Sequence, residues 1–550
     1  MSSMKGSMVV GEVLKREGTE YLFCFPNNDL IEAVSHYGIK PILVRTERTA
    51  VGAADGYTRV TAGRKTGVFA CQNGPGVENA FGGVAQAFSD STPMLVLPRG
   101  EHQRRIAAAP NFDATLNYQH ITKWAARVTH ADMIPEMLRR SYTYIRTGRP
   151  GPVLLELPQD VLAAEYAEAI TYSPVEGARS MADPRQVEAA AQVLVKAAKP
   201  MIHAGNGILY AQATPELVEL AELLDCGVMT TLVGKSAFPE DHPLALGNGG
   251  RTGTLMAARW LAECDVIFAA GASMSISGFA APIPAGKVAI QLTIDERDLN
   301  KEYLVQHPLL GDAKLVLGQL IEAVRKLLGP DGRKGGSTTT KAIKAVRDEW
   351  LAEWMPKLTS TEIPINPYRV IWSLQQALDV RKTIATHDAG SPRDQMAPFW
   401  TAPVPHSYIG WGKSTHLGYG LALGMGAKLA RPDAHVVNVM GDAAFGMIGM
   451  DVETAARNNI GTLTVVMNNS CLGGYDRYLH HASEVYGTRY LTGDYAKVAA
   501  GLGAYAERVE HPEDIVPAVH RAVAANANGQ PAVLEIITVE DNKASNYWAR

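Results

Sequence analysis

No apolar stretch of the 550-residue chain approaches the roughly 20 residues that cross a bilayer, and the N-terminus "MSSMKGSMVV" lacks a signal-peptide core. A cytoplasmic protein with no membrane partner is therefore expected. Cysteine is scarce: Cys24, Cys71, Cys226, Cys264 and Cys471 are odd in number, scattered and never spaced C-x-x-C. That pattern argues against a disulfide framework or a thiolate zinc site and predicts five small, reduced core residues. The net charge of −4 gives no electrostatic reason to expect nucleic acid or an anionic membrane. No G-x-G-x-x-G follows a first strand with an acid about 20 residues on, so a nicotinamide dehydrogenase is discounted.

What is present is ordinary globular composition, 46% hydrophobic and 20% charged, in a chain too long for one core. Short β-rich runs alternate with helical patterns in three blocks. The first, 1–170, contains "KPILVRTE", "KTGVFACQ" and "TPMLVLPRG"; the second, 186–328, contains "KPMIHAGNGI", "CDVIFAAGA" and "GKVAIQLTID". The third, 341–550, begins with a helical stretch and continues through "KTIATHDAG", "AHVVNVMGD", "GTLTVVMNN" and "QPAVLEIITVED". Such alternation predicts an α/β fold of three doubly wound parallel-sheet domains. The stretches "TYSPVEGARSMADPRQ" (171–186) and "GPDGRKGGSTTT" (329–340) read as linkers.

The segment "HVVNVMGDAAFGMIGMDVETAARNNIGTLTVVMNN" carries the clearest chemistry. A buried strand ends in Gly-Asp, an amphipathic helix follows, and a second strand ends in Asn-Asn. A βαβ unit brings both strand ends to one carboxyl edge, where α/β sheets bind ligands. Asp442 and Asn469 thus meet, with Gly441 allowing close backbone approach and Ala443 and Ala444 leaving room. One carboxylate and one amide oxygen suit Mg²⁺ when a diphosphate supplies further oxygens. The competing reading is a helix cap at Asp442 and a turn at Asn468 and Asn469. Gly311-Asp312-Ala313 is an internal control: the position equivalent to Asn469 is Thr339, in a linker, so Asp312 is expected only to cap the helix "AKLVLGQLIEAV".

The Gly-Asp-Ala … Asn-Asn spacing resembles the diphosphate motif of thiamine-diphosphate-dependent enzymes. Motifs in all three blocks are similar to the acetolactate-synthase-like branch: "PILVRTERTAVGAADGYTR", "NGPGVENAFGGVAQAFSDSTPMLVL", "TTLVGKSAFPEDHPLALGNGG" and "GKSTHLGYGLALGMGAKLARP". The resemblance runs from about residue 8 to 540. It implies Asp442, Asn469 and the Cys471 carbonyl as metal ligands. It gives Gly390, Ser391, Thr415, Leu417, Gly441, Ala443 and Ala444 contacts to thiamine diphosphate, with Leu417 as the wedge that bends the cofactor and Thr415 offering its carbonyl to the 4′-amino group. Plain core is the competing role for Leu417.

Glu47 matches the family's glutamate facing the aminopyrimidine ring. The cofactor supplies a nucleophilic carbon and an electron sink; a protonated carboxyl at the ring favours the tautomer that releases the C2 proton, and an apolar pocket would keep it protonated. The alternative is a helix-start carboxylate beside the macrodipole. Substrate contacts are open between two roles each: Asn28 as a hydrogen-bond donor or a helix cap, Gln72 and Asn73 as substrate contacts or plain strand-end polar groups, His480 or His481 as site residues or solvent-facing ones. Two departures matter. "PNFDATL" has Phe112-Asp113 where the relatives show Phe-Gln, and "GASMSISGF" replaces a strand end rich in arginine and aspartate, which puts FAD in doubt. The resemblance implies decarboxylation of a 2-oxo acid with transfer to an acceptor. Alternatives are lyase or hydrolytic cleavage of a diketone or 2-hydroxyacyl compound, or a non-catalytic cofactor-binding homologue. Because Glu47 and Asp442 lie in different blocks, the family's arrangement implies a homodimer, or a dimer of dimers (homotetramer), with shared sites.

Overall fold

Three six-stranded sheets, each parallel throughout, organise the chain in a computed structural model that describes residues 4–280, 282–333 and 337–548. In the first, the spatial order is Lys40–Leu43, Tyr21–Phe25, Gly67–Cys71, Met94–Gly100, Pro152–Pro158, Trp124–Arg127. In the third it is Tyr408–Ile409, Thr383–His387, His435–Gly441, Leu463–Asn468, Ala532–Ile537, Tyr505–Val509. Numbered along the chain, both read 2-1-3-4-6-5. The central sheet differs, running Ala245–Asn248, Gly227–Thr230, Pro200–Ala204, Val266–Ala270, Val288–Thr293, His307–Leu310, or 3-2-1-4-5-6.

The strands are near-continuous apolar runs because helices cover both faces. In the first sheet Phe23, Phe69 and Val96 enter one buried cluster while their neighbours Leu22, Val68 and Leu95 enter another, as the two-residue period of a strand requires. All five cysteines are buried and unpaired, as expected of small core residues.

The first and third domains share a core. Helix Glu47–Arg59, capped by the Thr46 hydroxyl, follows the second strand of its sheet; helix Gly420–Ala430 holds the same place in the third domain, and the two pack together. Glycine lets the backbones touch: a Cβ on Gly56 would lie 2.1 Å from the Leu423 carbonyl oxygen, and one on Gly426 1.9 Å from that of Ala53. Gly426→Ala is therefore expected to destabilise the fold by about 1–3 kcal/mol, the usual cost of overpacking, read as a lower denaturant midpoint. Arg59 ties the same contact electrostatically. It forks between Asp55 and Asp90 and donates to the Gly410 carbonyl at 3.1 Å, while the Tyr419 hydroxyl donates to Asp55 at 3.0 Å.

The linkers are more ordered than their composition suggests. Residues 171–183 form no helix or strand, yet Tyr172 is buried and its hydroxyl donates to Glu17. In the second linker, helix Ser337–Leu358 takes the C-terminal end, while residues 334–336 lie outside the described residues. Thr339 is thus helical, not in a flexible linker, and its hydroxyl donates to Asp225 at 2.9 Å. The reason lies downstream: Ile343, Trp350 and Trp354 share one helix face and are buried, which anchors the helix. No helix among the described residues is long and apolar enough to cross a membrane.

Candidate active site at the carboxyl edge of the third sheet

Strands His435–Gly441 and Leu463–Asn468 are hydrogen-bonded neighbours, so their carboxyl ends emerge side by side. Asp442 opens helix Asp442–Ile448 and is 2% exposed. Its Oδ1 accepts the Ala443 N–H at 2.9 Å, while Oδ2 is buried without a hydrogen-bond partner. Burial raises its pKa. A carboxylate oxygen left unsatisfied in this way is a place for a cation, since desolvation otherwise goes uncompensated.

The two asparagines have separate tasks. Asn468 faces inward: its amide donates to Glu535 at 2.7 Å and its oxygen accepts the Ser470 N–H at 2.9 Å. Asn469 turns to the cleft, where its oxygen also receives the Cys471 N–H at 3.2 Å. A single cleft of about 290 Å³ is lined by Gly390, Ser391, Thr415, Leu417, Gly441, Asp442, Ala443, Ala444, Asn469 and Cys471. Those ten residues come from four separate stretches of the third domain. Among the described residues no three His, Cys, Asp or Glu side chains gather as a metal site. A cation held here by one carboxylate, one amide oxygen and one backbone carbonyl would need oxygens from a ligand to complete its shell.

Sequence reasoning missed Asp388. It immediately follows strand Thr383–His387, is fully buried, and accepts the N–H groups of Ala389, Gly418 and Gly420, each at 2.9 Å. Burial pushes its pKa up to about 6. These bonds pin the loop carrying Thr415, whose φ of 53° lies in the left-handed region, and Leu417, which is 38% exposed toward the cleft and so is not a core side chain. The signal in the sequence was "THDAG", a strand ending in Asp and small residues like "MGDAA".

Glu47 lies elsewhere. It opens its helix at 3% exposure, accepts the Asn79 amide at 3.3 Å, and burial raises its pKa. A Cβ on Gly76 would stand 3.4 Å from its Oε1, so the glycine keeps space open beside the carboxyl. Residues lining the Asp442 cleft include none from the first domain, and Glu47 is not among them. Gln72 is half-buried at the same sheet edge as Glu47, and the Asn73 amide donates to Glu101. Asn28 is the first residue of helix Asn28–Ser35 and exposed; the cap is Asn27, which accepts the Leu30 N–H at 3.4 Å and donates to the Cys71 carbonyl at 3.3 Å. The capping alternative for Asn28 is thereby corrected by one residue. His480 and His481 are exposed at the start of helix His480–Tyr486, outside the cleft lining.

Models of the thiamine pyrophosphate enzyme N-terminal, central and C-terminal domains match residues 4–121, 187–320 and 388–536. The chain is 32% identical over 549 residues to a probable acetolactate synthase large subunit of Methanococcus aeolicus, spanning 94% of this chain and 90% of that protein. The chain belongs to the thiamine pyrophosphate enzymes. Within them it is acetolactate-synthase-like: the isozyme 3 large subunit of Escherichia coli K12 is 27% identical, with 98% of this chain and 95% of that one aligned. A crystal structure of benzoylformate decarboxylase from Polynucleobacter necessarius shares the fold, with a TM-score of 0.82 at 19% identity over 98% of this chain and 99% of that one. As a family member the chain is a thiamine-diphosphate-dependent carboligase or decarboxylase.

Proposed function

We propose that this thiamine pyrophosphate enzyme decarboxylates a 2-oxo acid and passes the acyl unit to a carbonyl acceptor, at a site built by two copies of the chain. The observation that carries the reading is the unsatisfied Oδ2 of Asp442 in a cleft that Glu47 does not line. On this reading residues 1–170 bind the pyrimidine, 341–550 bind the diphosphate and Mg²⁺, and 186–328 form the central domain.

Asp442, Asn469 and the Cys471 carbonyl would hold Mg²⁺, which neutralises diphosphate charge and fixes its position. Bound thiamine diphosphate supplies a nucleophilic carbon and an electron sink. Burial raises the Glu47 pKa and so favours the neutral acid, which would donate a hydrogen bond to the pyrimidine ring. Leu417 would prop the cofactor from its exposed position, and the Thr415 carbonyl would accept from its amino group. Asn28, exposed, and Gln72, half-buried, offer amides on the edge that carries Glu47, and we assign them to substrate oxygens. Asn73 is assigned there too, held by Glu101. Nothing in its surroundings supports a substrate role for His480.

A partner chain must then bring its first domain to this chain's third. Mixing inactive Glu47→Gln with inactive Asp442→Ala protein is expected to restore about a quarter of wild-type activity, because half of randomly exchanged dimers carry one intact site of two. An active monomer in sedimentation, or no rescue despite demonstrated subunit exchange, would rule out the shared site.

A further inference from the structure

The central sheet reverses its strand order between Pro200–Ala204 and Val266–Ala270, and α/β sheets bind ligands at the carboxyl edge of such a point. Two clefts lie there. Gly205, Asn206 and Ala272 border one of about 270 Å³; Gly207 and Gly271 border the other, of about 340 Å³. Between them the chain touches itself. The Gly207 N–H donates to the Gly271 carbonyl at 3.1 Å and the Gly205 N–H to that of Ala270 at 2.9 Å, and a Cβ on Gly205 would stand 2.2 Å from the Gly271 oxygen. A dinucleotide would lay its diphosphate across this contact, where these two amides are already bonded. The strand end "GASMSISGF" adds no arginine. A flavin dinucleotide does not fit this donor set.

The smaller cleft has a different character. Its lining sets the apolar Leu232, Val233, Met274, Phe279 and Ile283 beside polar groups that include Asn206, Thr231 and Tyr303, and Lys413 is the one cationic side chain in it. His203, also in the wall, is neutral because burial lowers its pKa to about 4. Lys413 donates to the Ser273 hydroxyl at 3.4 Å, and the Ser273 and Ser275 hydroxyls are 3.0 Å apart. The acids nearest Lys413 have other partners: Asp90 pairs with Arg59 at 3.1 Å, and Asp298 pairs with Arg149 at 2.8 Å and Lys301 at 2.7 Å. Among the described residues no carboxylate pairs with Lys413 itself. One cation beside the Ser273–Ser275 hydroxyl pair, with a group of apolar side chains in the same small volume, suits a largely apolar molecule with one negative end.

We propose that this cleft is a binding site for a small apolar monocarboxylate, its charge met by Lys413 and Ser273 and its body held between Leu232, Phe279 and Ile283. The site goes beyond the cofactor reading and does not rest on it, but the two clefts adjoin. Phe279 lines both, with the Arg393 guanidinium 4.1 Å from its ring centre, and the loop carrying Lys413 continues to Thr415 and Leu417.

The test is calorimetric titration of the purified holoenzyme with 4-phenylbutyrate, which has no oxo group, and with its neutral amide. The carboxylate is expected to bind once per chain and the amide at least about 10-fold more weakly, since a charge-assisted hydrogen bond is worth roughly that factor. Lys413→Met should abolish the preference, Lys413→Arg should keep it, and Ile283→Trp should exclude both probes by filling the cleft. Glu47→Gln should leave probe binding as in wild type, which separates this cleft from the cofactor site. Protein purified without added flavin should be colourless. Absent binding, equal affinity for the two probes, or unchanged carboxylate affinity in Lys413→Met would overturn the proposal. So would a stoichiometric flavin that competes with the probe.

Discussion

Asp442→Ala is expected to lower the affinity for thiamine diphosphate by at least about 100-fold, the upper end of what loss of an outer-shell partner costs a metal site. Its Oδ2 has no protein partner in the described residues, whereas the other carboxylates lining the cleft, Glu540 and Asp541, pair with Arg489 and Lys357. Excess Mg²⁺ should recover part of the loss by mass action. Asp312→Ala is the matched control, because Asp312 is the centre of the same Gly-Asp-Ala tripeptide. Asp312 caps helix Ala313–Leu328 by accepting the N–H groups of Lys314 at 3.1 Å and Leu315 at 3.2 Å. Its loss should cost about 1 kcal/mol of stability and leave cofactor binding intact. Calorimetry of both variants decides the matter: equal binding in Asp442→Ala and wild type would refute the metal role.

Glu47→Gln is expected to bind the cofactor normally yet slow exchange of its C2 proton by about 10²-fold or more, the scale of acid–base assistance. Glutamine keeps the shape and can still accept from Asn79, but it has no acidic proton to share. The sign of the pH dependence follows from burial, which raises the Glu47 pKa and favours the neutral acid. Exchange assisted by that acid is complete at low pH and declines as pH rises through the raised value; in Glu47→Gln this decline should vanish. Wild-type exchange rates by NMR in the variant, or an unchanged pH profile, would remove Glu47 from the chemistry.

Much of the architecture was legible because strands and helices write their period into the chain. The runs "HVVNVM" and "LTVVMN" are dominated by valine, leucine and methionine, so two buried strands of one βαβ unit could be read directly, and with them the nearness of Asp442 to Asn469. The contrast with Asp312 was legible for the same reason, since no strand and amide pair follow it. Local pattern was less able to choose between adjacent residues. Asn27 and Asn28 are chemically identical in sequence, and only the position of the helix start gives the cap to Asn27. Composition likewise hid the beginning of helix Ser337–Leu358, whose anchor is tryptophans buried more than a turn downstream.

The sequence alone determined three α/β units, the nearness of Asp442 to Asn469, and a family resemblance in every unit. Only the tertiary structure decided which strands lie side by side, giving the first and third sheets one order and the central sheet another. It also decided that Asp388 pins the Thr415–Leu417 loop, that Leu417 stands open to the cleft, and that Glu47 stays outside it. The physical reason is range. Helix and strand periods, caps and turns are fixed by residues a few positions apart. A buried carboxylate's partners, a cavity's walls and the approach of Gly426 to Ala53 depend on packing between residues tens to hundreds of positions apart, which no local pattern encodes.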